Sequence, residues 1–168
     1  DDSDTITLTG TTVPSWATFT ASTGVLEGTP LNANVGDNSV VITASDGNGG
    51  SVTDTFTIVV ANTNDAPTIT STAVTAATED AVYTYTVTAA DVDSSDTITL
   101  TGTTVPSWAT FTASTGVLAG TPLDANVGDN SVVITASDGT ASVTDTFTIV
   151  VANTNDAPTI TSTAVTAA

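Results

Sequence analysis

Carboxylates are nearly the whole reactive inventory of this chain. It carries 18 Asp and Glu and no Lys, Arg, His or Cys, so its formal net charge is −18. Nucleophilic sites of the Ser-His-Asp or Cys-His kind cannot be built without His, and Cys/His zinc sites are excluded as well. Disulfides and Lys–Asn cross-links are equally absent. Nucleic acid and anionic membrane surfaces are recognised by basic residues, so neither is an expected partner. What remains is carboxylate chemistry. One form is paired acid/base catalysis of the glycosidase type. The other is capture of a hard cation such as calcium, which takes oxygen ligands only. The two glutamates, Glu27 and Glu79, argue against catalysis. Glu27 is replaced by Ala119 in a near-identical second copy of its surroundings. The expected activity is therefore non-catalytic.

That second copy is the main organising feature. Residues 5–19 return as 97–111, so Trp16 maps onto Trp108, and Asp65 returns as Asp156. The one-residue slip lies after Asp46-Gly47, where Asn48-Gly49-Gly50 faces Thr140-Ala141. A repeat of this length is domain-sized and exceeds solenoid periods. The expected organisation is a truncated repeat over 1–65 and a complete one over 66–158. Residues 159–168 repeat 68–77 and would supply the first strand of a following repeat. With no initiator Met, signal peptide or apolar span, both ends read as cuts in a longer protein. Uncompensated charge must be screened by salt or neutralised by metal, which suits an extracellular or saline setting.

The elements are strands. Phe56, Ile58 and Val60 alternate with Thr55 and Thr57; Ile98 and Leu100 do so within 96–101, and Tyr83, Tyr85 and Val87 within 81–88. Period-two alternation with outward Thr marks half-buried strands, and no segment has an apolar stripe at helical spacing. Turn signals recur at Thr115-Gly116, Gly120-Thr-Pro122, Gly128-Asp-Asn130 and Asp138-Gly139. Strands are predicted near 67–76, 81–90, 97–101, 107–112, 116–119, 130–137 and 143–152. Seven short strands per repeat predict an all-β, immunoglobulin-like Greek-key sandwich. Trp108 and Phe111 are read as core residues.

The ordered series Pro106-Ser-Trp-Ala-Thr-Phe, Ser114-Thr-Gly-Val-Leu-Ala-Gly-Thr-Pro122, Val127-Gly, Val133-Ile-Thr-Ala-Ser-Asp-Gly139 and Phe147-Thr-Ile-Val-Val151 resembles the dystroglycan-type cadherin-like module. That module is also known as the He_PIG-type immunoglobulin-like repeat of bacterial surface proteins. The resemblance covers the complete repeat and residues 4–65. It implies a cadherin-like sandwich in long secreted or surface proteins, calcium binding and adhesion. It further implies a ligand set: Glu79; Asp91 and Asp93 as an Asp-x-Asp pair; Asp138, with Asp46 in the first copy; and the linkers Asn64-Asp65 and Asn155-Asp156. Two departures stand out. The linker begins with Asn where cadherins have Asp, and the slot of the Leu-Asp-Arg-Glu motif reads Gly-Thr-Pro. One ion per junction is thus easier to support than three.

Physical reasoning supports the same ion. Loops gather at the ends of a Greek-key sandwich, so Asp91, Asp93 and Asp138 should meet there. The linker brings Asn64 and Asp65, and four carboxylates without a basic partner call for a cation. Asn155 and Asp156 should serve the next junction, while Asp1, aligned with Asp93, and Asp46 keep part of a site near the N-terminus. The competing reading is that these residues simply make turns, and Glu79 could equally be a solvated charge or serve the opposite end. Asp37, Asp54, Asp124, Asp129 and Asp145 read as ordinary surface charges. The leading expectation is a calcium-rigidified stalk or adhesion module of a large bacterial surface or secreted adhesin, its parent attached to the outer membrane or cell wall. Its partners are neighbouring repeats, with cell-surface proteins or glycans as targets and no direct insertion into membrane. The alternative is a carbohydrate-binding or spacer module of a secreted polysaccharide-degrading enzyme, stacking sugars on Tyr83 or Tyr85. The first unit, lacking its opening strands, is expected to be partly open and prone to pairing with another chain, the 159–168 tail filling one edge of a second molecule.

Overall fold

Alternating apolar and Thr positions produce strands throughout the chain. In a computed structural model, described here over residues 4–162, it divides into two compact units, 1–64 and 65–168. In the first unit, β1 (Thr7–Thr12), β4 (Gly36–Ser45) and β5 (Ser51–Val60) form one antiparallel sheet. β2 (Ala17–Thr20) and β3 (Val25–Gly28) form a separate hairpin. The second unit is larger. It comprises β6 (Thr68–Ile69), β7 (Ala76–Thr78), β8 (Tyr83–Thr86), β9 (Ala89–Ala90), β10 (Thr99–Thr104), β11 (Ala109–Thr112), β12 (Val117–Gly120), β13 (Gly128–Ser137) and β14 (Ser142–Ala152). One sheet runs β10-β13-β14-β7, a second β11-β12-β8, and β6 pairs with β9. Beyond strands, the described residues hold two single-turn 3-10 helices, Asn32–Asn34 and Asp124–Asn126. No helix among them is long and apolar enough to cross a membrane. The all-β, immunoglobulin-like sandwich read from the sequence is what the second unit displays.

Its core lies between the two sheets. Tyr83, Tyr85 and Val87 meet Leu118, Val132, Ile134, Ile149 and Val151, with Trp108, Phe111 and Phe147 packed half-buried around them. The tyrosines set their rings edge-on to neighbours: Tyr83 against Trp108 at 5.6 Å and Tyr85 against Phe147 at 5.7 Å, a favoured quadrupole geometry. Their hydroxyls find partners, as buried phenols must. Tyr83 donates to the carbonyl of Val74 (2.7 Å), and Tyr85 bonds the Ser71 hydroxyl (2.8 Å).

Two predicted strands are shorter than expected. The 67–76 segment is broken because it changes partner: β6 pairs with β9, whereas β7 runs parallel to β14. The 81–90 segment is divided into β8 and β9, with the Thr88 N–H turned to the Ser71 side chain between them (3.0 Å). In β10 the register shifts between Gly102 and Thr104, leaving an extra residue in a bulge. Gly102 is needed there, since a Cβ would lie 2.8 Å from the Val105 side chain. Of the expected 159–168 strand, residues 159–162 carry no strand, and residues 163–168 lie outside the described residues.

Candidate functional site

Two groups of carboxylates mark the two ends of the second unit. β14 contains 11 residues, which at about 3.3 Å per residue separates its ends by roughly 33 Å. Asp138 sits just before its start and Glu79 just past its end, the Glu79 N–H donating to the Ala152 carbonyl (3.0 Å).

The group at the end of β14 forms the tighter cluster. β7 stops at Thr78, and the chain turns through Glu79 and Asp80. Asp80 adopts φ +61°, a left-handed conformation that Asp tolerates better than most residues, and its N–H donates to the Pro122 carbonyl (2.8 Å). This turn presses Glu79 inward to 2% exposure. The 3-10 helix supplies Asp124 at its first position, and the segment leaving β14 supplies Asp156. Glu79, Asp124 and Asp156 offer carboxylate oxygens that all lie within 4.8 Å of one another. Glu79 Oε1 accepts a short hydrogen bond from the Thr154 N–H, which ties the departing chain to the body of the unit. Glu79 Oε2 is buried with no hydrogen-bond partner. The electrostatic consequence shows at Asp156. Its carboxyl is held above the usual 3.8, first by the Asp124 charge, then by burial, by Asp80 and by a hydrogen bond with Asp124.

The other end holds Asp65, Asp91 and Asp93. Asp93 is 5% exposed. Its Oδ2 accepts from the Asp65 N–H (2.7 Å), and its own N–H donates to Asp91 Oδ1 (3.0 Å). The chain entering the unit is thereby fastened to the loop after β9. Asp91 Oδ2 is buried and unpartnered. Asp138 puts Oδ1 on the N–H groups of Thr140 and Ala141 (both 2.6 Å). In the first unit Asp46 Oδ1 does the same for Asn48 and Gly50 (both 2.8 Å). Both residues make turns as their type predicts.

The sequence expectations are thus only partly matched. Glu79 does not join Asp91, Asp93 and Asp138; it lies at the opposite end with Asp156, because the first strand has crossed to β14 before reaching it. Asp124, read as an ordinary surface charge, is the third member of that cluster. The sequence carries the signal: Leu123-Asp124 directly follows the Gly-Thr-Pro that stands in the Leu-Asp-Arg-Glu slot. Asn155 is exposed and its amide donates to the Asp156 carbonyl (3.2 Å). Asn64 is exposed and is the last residue of the first unit, and Asp1 lies outside the described residues. Tyr83 and Tyr85, each 4% exposed, are core residues, which overturns their role as sugar-stacking platforms. Trp108 is likewise committed, its Nε1–H donating to Asn130 Oδ1 (3.0 Å).

Chemically, both ends present hard oxygen donors. A carboxylate cluster with a buried, unpartnered oxygen and no side-chain cation anywhere in the chain fits a hard divalent ion such as calcium. It does not fit a thiolate- or imidazole-seeking metal.

Solved structures with a similar fold include human protocadherin-24 EC1-2, at 18% identity and TM-score 0.55 over 94% of this chain and 85% of that one. Drosophila N-cadherin EC1-4 matches at 20% identity and TM-score 0.56 over 89% of this chain and 41% of that one. The endo-fucoidan hydrolase MfFcnA4 from glycoside hydrolase family 107 matches at 30% identity and TM-score 0.48 over 92% of this chain. This chain spans only 24% of that hydrolase. No curated protein matches it. The He_PIG family (Putative Ig domain) matches residues 1–61 and 66–152, nearly the full length, and the chain belongs to that family.

Proposed function

We propose that this chain is a calcium-binding, non-catalytic cadherin-like segment of a larger extracellular or cell-surface protein, and that calcium stiffens a row of such repeats. The observation carrying this reading is the Glu79–Asp124–Asp156 cluster with its buried, unpartnered Glu79 Oε2. Asp156 belongs to the chain leaving the unit, while Glu79 and Asp124 belong to its body. An ion bound by all three fixes the direction in which the chain departs. Pro158, two residues on, restricts that path further. Remaining ligands would be backbone carbonyls and water, as calcium commonly uses. Asp91, with its own unpartnered oxygen, and Asp93 are the candidates for the same task where the chain enters. A dystroglycan-type adhesin on a bacterial surface is the biological setting that this reading fits, with neighbouring repeats as immediate partners.

Calorimetric titration of the whole chain tests the reading. Calcium is expected to bind saturably at equal ionic strength, and Asp124→Asn is expected to weaken that binding about tenfold or more, the scale of losing one charged ligand. Absence of saturable binding, or equal affinity in the variant, would reject the cluster as the site.

A further inference from the structure

The sheet switch of the second unit leaves part of a strand edge bare. β7 pairs with β14 only over Val150–Ala152. Before that point β14 pairs with β13 alone. Both opening strands, β6 and β7, are present in this unit, so the gap is set by the switch itself. Val150 turns its N–H to the Thr75 carbonyl (2.9 Å), away from β13. Backbone groups alternate sides every second residue, and the β13–β14 register runs without a shift. The N–H and C=O groups of Thr144 and Thr146 therefore point to the bare edge.

A groove of about 500 Å³ opens beside this edge. Ile69, Ala73 and Val143 supply its apolar lining, and Ser71, Thr72 and Asp145 its polar groups. By alternation Asp145 shares the inward side of β14 with Val143, Phe147 and Ile149, and it is half-buried. The first copy has the same residue, Asp54, in the same Thr-Asp-Thr-Phe stretch. A carboxylate on the inner side of a strand is disfavoured unless a cation pairs with it. The chain has no Lys, Arg or His to do so. Asp145 also decides what can pair here. Two copies joined edge to edge would set acid against acid in chains of net charge −18, and an inward-pointing charge on an edge strand blocks such self-pairing. A strand bearing a cation turns the same charge into an attraction.

We propose that the Ser142–Phe147 edge is a strand-addition site for an extended basic segment of another protein, whose Lys or Arg side chain pairs with Asp145. The incoming backbone bonds the free groups of Thr144 and Thr146. Its inward side chains alternate with outward ones, placing the cation beside Asp145 and an apolar neighbour beside Val143, Ile69 and Ala73. The site uses neither of the carboxylate groups at the ends of the unit.

The probe is a capped peptide, Thr-Val-Thr-Lys-Thr-Val-Thr, titrated into the full chain. Chelator is present throughout, so the result is independent of calcium. Physiological salt screens general attraction to the −18 charge. Amide exchange followed by NMR reads the site. The expected result is saturable slowing at the Thr144 and Thr146 N–H groups, with no change at Val143 and Asp145, whose N–H groups already face β13. Asp145→Asn is expected to weaken binding about fivefold, the scale of one cross-strand ion pair. A peptide with Glu in place of Lys leaves the chain untouched and is expected to bind at least about tenfold more weakly. No binding of the Lys peptide, equal binding of the Glu peptide, equal affinity in Asp145→Asn, or protection that spares Thr144 and Thr146 would each overturn the proposal.

Discussion

Replacing Glu79 by Gln should have opposite effects with and without calcium. Gln keeps an oxygen for the Thr154 N–H, and it turns the unpartnered Oε2 into an amide nitrogen with two donors beside Asp124 and Asp156. In chelator this removes a buried charge and its repulsion within the 4.8 Å cluster, so E79Q should melt above the parent chain. In calcium the order should reverse. Extracellular calcium modules bind at about 10⁻⁴–10⁻³ M. At about 10 mM calcium, ligand linkage then supplies about 1.4–2.7 kcal/mol to the parent chain. For a domain of about 90 residues each kcal/mol moves the midpoint by roughly 4–8 °C, so a rise of about 6–22 °C is expected. E79Q should retain only a small part of it. A Trp16→Phe background lets Trp108 fluorescence report the second unit alone. Sodium chloride of equal ionic strength controls for general screening of the −18 charge. Two results would refute the reasoning: an equal calcium response in both proteins, or lower stability of E79Q in chelator.

Two further outcomes follow from the same structure. The Asp156 carboxyl titrates above its usual 3.8 because Asp124, burial and Asp80 oppose its charge. A raised folded value means its contribution is fully present below the unfolded value and is lost as pH rises through the folded one. In chelator, the melting temperature of the second unit should therefore fall as pH climbs out of the carboxylate range. D156N should flatten that fall, and calcium should suppress it; a pH profile unchanged by D156N would contradict the assignment. The repeats also provide an internal control for packing. Leu118→Ala removes a fully buried side chain and should cost about 3–5 kcal/mol, while Leu26→Ala, at the same place in the first unit but only half-buried, should cost less. Urea unfolding followed at Trp108 and Trp16 would measure both, and equal costs would mean that Leu26 is covered in solution.

The sequence made the fold legible because alternation is local. Thr and apolar residues trade places along 143–152 and 81–88, and the structure returns β14 and β8. Sheet-switching is not local. Nothing between Pro67 and Thr78 marks the point where pairing passes from β9 to β14, because that choice depends on which edge lies nearby after collapse. The same event decides which end of the sandwich receives Glu79, which is why local sequence leaves that choice open. Asp124 was obscured differently. It lies in a 3-10 turn whose shape is set by the Asn126 side chain accepting from the Leu123 N–H (2.9 Å). Read as an ordinary surface charge, it gives no reason to look towards Glu79, 45 positions earlier in the chain.

The two copies differ at that same residue. Asn32 stands where Asp124 stands, with Leu31 and Asn34 repeating the turn: the Leu31 N–H donates to Asn34 Oδ1 at 2.8 Å. The fold of the turn therefore does not require the acid. Asn keeps a carbonyl oxygen able to face a hard cation but gives up a full charge. On the proposed calcium reading, a repeat of the Asn type would repel itself less without the ion and hold it less firmly when it is present. If charge count sets affinity, such single substitutions in near-identical repeats grade calcium demand along a row of domains while leaving each sandwich unchanged. D124N, which converts the second copy to the first copy's version, should weaken calcium binding without altering the core that Leu118 and Ile134 report.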